Sequence, residues 1–209
     1  MTADGHDGVD ERRRAVVLAG HLGEPDLARA GLTDTDADTR GAALGALERL
    51  GVLTTAELQA GLHDADARTR RRAAIVAAQR TDALEDLEQL LGDPDDLVVE
   101  AAAFASGERT DATQHTVDVL ASLATTHEDS LCREAAVAAI GSIGDPAGLT
   151  AVLRSCTDRA TVRRRAVLAL AAFDGPEVTE MLRLMTTDRD LQVRQAAEEL
   201  LAIELGEDL

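Results

Sequence analysis

A single register recurs along this chain and limits its fold more than any other feature. The segment Arg163-Arg-Arg-Ala-Val-Leu-Ala-Leu-Ala-Ala-Phe-Asp-Gly-Pro176 aligns without a gap to Arg12-Arg-Arg-Ala-Val-Val-Leu-Ala-Gly-His-Leu-Gly-Glu-Pro25. Carried through the sequence, the register starts at Arg12, Arg40, Arg70, Val99, Arg133, Arg163 and Arg194, at intervals of 28, 30, 29, 34, 30 and 31 residues. Self-similarity on this scale is the mark of stacked repeat units, none of which buries its apolar face alone.

Each unit reads as a pair of helices. Three positions after each start (+3) stand Ala15, Ala43, Ala73, Ala102, Ala136, Ala166 and Ala197. A small side chain at one fixed position points to close approach of another helix. Positions +0, +3, +4, +7 and +10 or +11 share one face at helical spacing, giving an amphipathic helix of about fourteen residues. A shorter helix precedes most of these, over Pro25–Leu32, Thr55–Leu62, Ala83–Leu91, Gln114–Ala124, Pro146–Arg154 and Pro176–Met185. Pro25, Pro146 and Pro176 stand where a first helical residue tolerates a missing N–H. Asp-rich turns at Asp34–Asp38, Asp64–Asp66, Asp93–Asp96 and Asp188–Asp190 separate the paired helices, and Asp there caps the second one. The expected fold is all-α, a right-handed α-solenoid of about six helix pairs preceded by an N-terminal half repeat, over residues 9–205. Residues 1–8 are expected to be a disordered tail and 206–209 a short C-terminal one.

The unit resembles a HEAT repeat, in particular the short HEAT-like type of phycobilisome lyases and many bacterial proteins. The resemblance rests on Asp and Arg six apart, at Asp34/Arg40, Asp64/Arg70 and Asp188/Arg194, and on the pairs Val162-Arg163 and Val193-Arg194. It implies Asp–Arg bonding between repeats. Val99 replaces the Arg, and His127 and Thr157 stand where Asp is expected, so an interrupted ladder is anticipated in the middle repeats. The interval of 34 predicts either a longer first helix or a protruding loop.

Composition removes several chemistries. All 21 basic residues are Arg, against 39 acids and a net charge of −18. Without Lys there is no Schiff-base or phosphate-loop lysine. With no Trp or Tyr and only Phe104 and Phe173, there is no stacking platform for bases. The acidic balance also opposes phosphate-backbone binding, so nucleic acid is disfavoured as a partner. No apolar run reaches the roughly 18 to 20 residues of a membrane span, and residues 1–14 lack the apolar core of a secretory signal. Cys132 and Cys156 are too few for a disulfide framework and read as small apolar fillers. The cytoplasm is the expected compartment.

Metal and cofactor readings find no motif. Asp34-Thr-Asp-Ala-Asp38 lacks the Gly and Glu that a calcium loop needs at its sixth and twelfth positions, where Thr39 and Gly45 stand. His127-Glu128 is the sole His-Glu dipeptide, whereas resemblance to deoxyhypusine hydroxylase would imply several around its iron. No catalytic residue, metal or cofactor is expected.

The candidate partner surface lies elsewhere. Position +5, on the polar side of the helical wheel, holds Val17, Gly45, Ile75, Phe104, Ala138, Leu168 and Glu199. Val17, Ile75, Phe104 and Leu168 there are either covered by neighbouring second helices or form an apolar stripe on the concave face. Arg49, Gln79 and Glu108 at +9 would flank that stripe. Arg13, Arg71 and Arg164 at +1 point to the outer side and suit bidentate capture of a carboxylate or phosphate. Glu198 and Glu199 give the last unit the polar outer face of a capping repeat. At the other end no first helix precedes Arg12, leaving Val16, Val17, Leu18 and Leu22 partly uncovered, a surface for self-association. The leading expectation is a non-enzymatic adaptor or scaffold binding another protein on its concave face. The alternatives are a lyase-like accessory factor acting on a bound prosthetic group and a nucleic-acid repair or binding module.

Overall fold

Ala, Arg and Leu, which fill the repeat, are strong helix formers. The computed structural model describes residues 4–205, and among these thirteen α-helices and no strand occur. They are α1 (Asp4–Leu22), α2 (Pro25–Ala30), α3 (Ala37–Arg49), α4 (Thr55–Leu62), α5 (Ala67–Ala77), α6 (Leu84–Gln89), α7 (Asp96–Glu108), α8 (Gln114–Thr126), α9 (Ser130–Ile143), α10 (Leu149–Ser155), α11 (Ala160–Ala169), α12 (Pro176–Met185) and α13 (Leu191–Leu205). Helix α1 is the lone second-type helix, and the pairs run α2–α3, α4–α5, α6–α7, α8–α9, α10–α11 and α12–α13. Of the expected tails, residues 1–3 and 206–209 lie outside the described residues, while 4–8 belong to α1. The long interval is a longer first helix: α8 has 13 residues where the other first helices have 6 to 10.

The chain divides into two compact units, Met1–Ala105 and Ser106–Leu209. In the first, α1 packs along α3 and α3 along α5; in the second, α9 packs along α11 and α11 along α13. The +3 alanines explain part of this packing. From Ala43 to Ala197 they are fully buried. The Cβ atoms of Ala43 and Ala73 lie 3.1 and 3.2 Å from where a Cβ would stand on Gly31 and Gly61, in the first-helix segment of their own repeat. Second helices approach one another just as closely at +8. A Cβ on Gly20 would meet the Ala46 backbone at 2.8 Å, one on Gly107 the Ala139 backbone at 2.7 Å, and one on Gly141 the Ala169 Cβ at 2.7 Å and Cα at 2.9 Å.

The Asp-rich turns do two jobs. Asp36 accepts from the Thr39 N–H at 2.8 Å, Asp129 from the Leu131 N–H at 2.7 Å and Asp190 from the Gln192 N–H at 2.9 Å, capping α3, α9 and α13. In the turns before α3, α5, α7, α11 and α13 an Asp receives the arginine of the preceding repeat. Arg40 Nε and Nη2 donate to Asp64 at 2.8 and 2.7 Å, while Nη1 donates back to the Asp34 carbonyl of its own turn at 2.9 Å. The same bidentate rung joins Arg12 to Asp34 and Arg70 to Asp93 in the first unit, and Arg133 to Asp158 and Arg163 to Asp188 in the second. Thr157 therefore does not interrupt the ladder. The turn before Arg163 is one residue shorter, and Asp158 takes the acceptor place that spacing alone assigned to Thr157.

Candidate functional site

On a helical wheel, +0, +3, +4 and +7 centre the buried face of each second helix, which puts −2, +2, +5 and +9 on the opposite side. This outward strip holds the candidates at +5 and +9, with the +1 arginines to one side of it. Val17, Ile75 and Phe104 are 40, 37 and 51% exposed in the first unit, and Leu168 is 46% exposed in the second. Neighbouring second helices do not cover these four side chains. Each is half-open, whereas Leu44, Leu58, Leu62 and Leu170 beneath are fully buried.

The strip is not uniformly apolar. At Gly45 the column is filled from the side: a Cβ there would lie 2.3 Å from Arg72 Nη2, 3.1 Å from Cζ and 3.2 Å from Nε. The guanidinium of Arg72 thus lies against the α3 backbone, a seat that only glycine leaves open. Ala138 is half-buried and lines a shallow groove in the second unit with Gly141, Ser142, Arg165, Leu168 and Ala172. Arg165 reaches Glu134 at 3.4 Å there. Glu198 and Glu199 are exposed on α13.

The flanking residues separate by what they touch. Arg49, Gln79 and Glu108 are exposed. Of the three +1 arginines, Arg13 is held by Asp10 at 2.9 Å, and Arg164 donates to Gln192 Oε1 at 2.7 Å. Arg71 is exposed and makes no ion pair or hydrogen bond among the described residues. Arg13 and Val17 line one shallow depression with Asp10, Arg14 and Leu18 on the outer side of α1. At this end Val16 is buried, contrary to expectation, because it packs where a Cβ on Gly31 would stand. Leu18 and Leu22 are exposed, together with Leu27 of α2.

Sequence reasoning missed the +2 arginines, Arg14 and Arg72, and the −2 leucines, Leu97 and Leu131, the latter 49 and 53% exposed. The signal was present, since +2 lies three residues and −2 seven residues before +5 on one helical face.

Electrostatics on the turn side is self-contained. The Arg12 guanidinium, helped by the Asp36 N–H, holds the Asp34 carboxyl down at about 2. Arg40, Arg133 and Arg163 lower Asp64, Asp158 and Asp188 in the same way. Burial pushes the Cys156 thiol up to about 12, so it is not a poised nucleophile. Cys132 is buried too. No described helix is long and apolar enough to cross a membrane.

The family model of HEAT repeats matches residues 55–139, 84–160 and 117–202, and the chain belongs to the HEAT repeat family. No curated protein matches the sequence. Among solved structures, YibA of Escherichia coli is similar at 16% identity and a TM-score of 0.67, covering 98% of this chain and 76% of that one. A designed armadillo repeat protein, in complex with the peptide (KR)4, is similar at 18% identity and a TM-score of 0.61, covering 85% of this chain and 98% of that one. Human deoxyhypusine hydroxylase, in complex with glycerol, is similar at 17% identity and a TM-score of 0.51, covering 94% and 80%. At these identities the likeness is one of fold, that of helical repeat solenoids.

Proposed function

We propose that this protein is a non-enzymatic adaptor or scaffold that binds another protein along the outward strip of its second helices. The observation that carries this reading is the exposure of Val17, Ile75 and Phe104 in one unit and Leu168 in the other, at the same repeat position. Large apolar side chains repeated in register on an exposed face, with polar groups beside them, are the composition of a protein-binding surface. Phe104, with Leu97 one wheel position away on α7, is the aromatic anchor that such surfaces favour. The designed armadillo protein supports the reading, because a scaffold of this fold holds a peptide.

Site-specific photo-crosslinking in the native cell tests it. A photoreactive amino acid would replace Phe104 or Leu168 on the strip, and Asp118 or Glu180 on exposed positions of the first helices α8 and α12. The adaptor reading expects discrete adducts from the strip positions and none from α8 and α12. Equal labelling from both sets, or labelling from the first helices alone, overturns it.

A further inference from the structure

The arginines of the first unit divide into three populations. Arg12, Arg40 and Arg70 form the ladder. Arg13, Arg29, Arg68 and Arg80 are held by Asp10, Glu57, Asp66 with Asp38, and Glu48 with Asp82. Arg14, Arg49, Arg71 and Arg72 make no ion pair or hydrogen bond among the described residues. All four lie on the second helices α1, α3 and α5, and Arg14, Arg49 and Arg72 stand on the outward strip beside Val17 and Ile75. The acids of that strip, Asp10 and Asp38, are already matched by Arg13 at 2.9 Å and Arg68 at 2.8 Å. A chain of net charge −18 thus presents unspent guanidinium donors next to exposed aliphatic side chains on one face.

We propose that this face of the first unit docks a partner segment carrying carboxylates interleaved with aliphatic residues. The proposal rests on the adaptor reading and names the chemistry of the partner. Arg72 is the best placed of the four, because its guanidinium is already seated over Gly45 and loses little freedom on pairing. Neighbouring helices of a stack are about 8–10 Å apart. An extended segment rising ~3.3 Å per residue needs about six residues to run from α1 to α5. Only every second side chain faces the strip, so acid and aliphatic residues that alternate at those positions meet Arg14, Arg49 and Arg72 and pack on Val17 and Ile75. The net charge argues for a basic partner, but the acids of this strip and its turns are already paired, Asp10 with Arg13, Asp34 with Arg12, and Asp38 and Asp66 with Arg68.

Fluorescence anisotropy on the full chain tests the proposal, with three labelled octapeptides in which Glu and Leu, Glu and Ser, or Lys and Leu alternate at every second position with Gly between them. The Glu-Leu peptide is expected to bind best, more weakly as salt rises from about 0.05 to about 0.5 M. Joint Arg14→Ala and Arg72→Ala substitution is expected to weaken it about tenfold or more, and Ile75→Asp to abolish it. Gly45→Ala is expected to unseat Arg72, a flexible side-chain end, and so weaken binding several-fold without lowering the melting temperature, since Ala is the better helix former. Absence of Glu-Leu binding, or binding indifferent to the arginine substitutions, overturns the proposal. Lys-Leu binding that is lost in Ile75→Asp also overturns it while leaving the adaptor reading intact, since that reading is tested separately by the crosslinking above.

Discussion

The Arg–Asp rungs are chemically alike and energetically unlike. Arg163 and Asp188 have side chains only 6 and 9% exposed, joined by two bonds of 2.8 and 2.7 Å. Removing one partner leaves an uncompensated buried charge, so Asp188→Ala is expected to cost about 3–5 kcal/mol. Arg12 in the Arg12–Asp34 rung is 48% exposed and stays hydrated when its partner is removed, so Asp34→Ala is expected to cost clearly less than Asp188→Ala. Urea unfolding of the two variants checks the contrast; equal losses would contradict it. The pH dependence follows from the same groups. Their carboxyls are depressed in the folded state, so their stabilisation is full above the unfolded value near 4 and is lost as pH falls through the folded values, about 2 for Asp34. Circular dichroism against pH should show acid unfolding setting in below about pH 4, and a cooperative loss of helix above about pH 5 would contradict the ladder's role.

At the scale of the element, glycine decides how near two second helices come. Gly141 packs on the Ala169 backbone, so an added methyl must push one helix away from the other. Gly141→Ala is expected to cost about 1–3 kcal/mol of overpacking, which outweighs the ~1 kcal/mol gained in helix propensity. Gly45→Ala, opposed only by the tip of Arg72, is expected to leave stability unchanged or slightly raised. Thermal melts of the two variants read the difference in sign. The helix pairs, the proline starts and the capping aspartates were legible in the sequence because each is a local pattern. The Gly–Ala crossings were not, since a glycine inside a helical run carries no sign of what faces it from the next helix. The rung at Asp158 was missed for a related reason. A spacing of six was assumed, and the turn before Arg163 has one residue fewer.

For the whole molecule, the register placed Val17, Ile75, Phe104 and Leu168 at one repeat position but could not say whether neighbours cover them. Exposure depends on the distance and tilt of adjacent helices, which the pattern of one helix does not encode. The same gap hid the surplus of cations. Counted along the chain, arginine is outnumbered by acid; assigned to partners, four arginines of the first unit have no acid to hold them among the described residues. Net charge therefore describes the turns better than it describes the face that would meet a partner. The central claim is that the exposed apolar positions of each unit bind protein and are not core. Affinity purification from the native cell, comparing the wild-type chain with Phe104→Asp and Leu168→Asp at a temperature where all three are folded, tests it most directly. Each side chain is about half exposed, so each substitution is expected to cost about 1–2 kcal/mol in burial and helix propensity, leaving both variants folded but without the proteins the wild type recovers. Recovery of the same proteins by all three chains, or unfolding of the variants, would contradict the account.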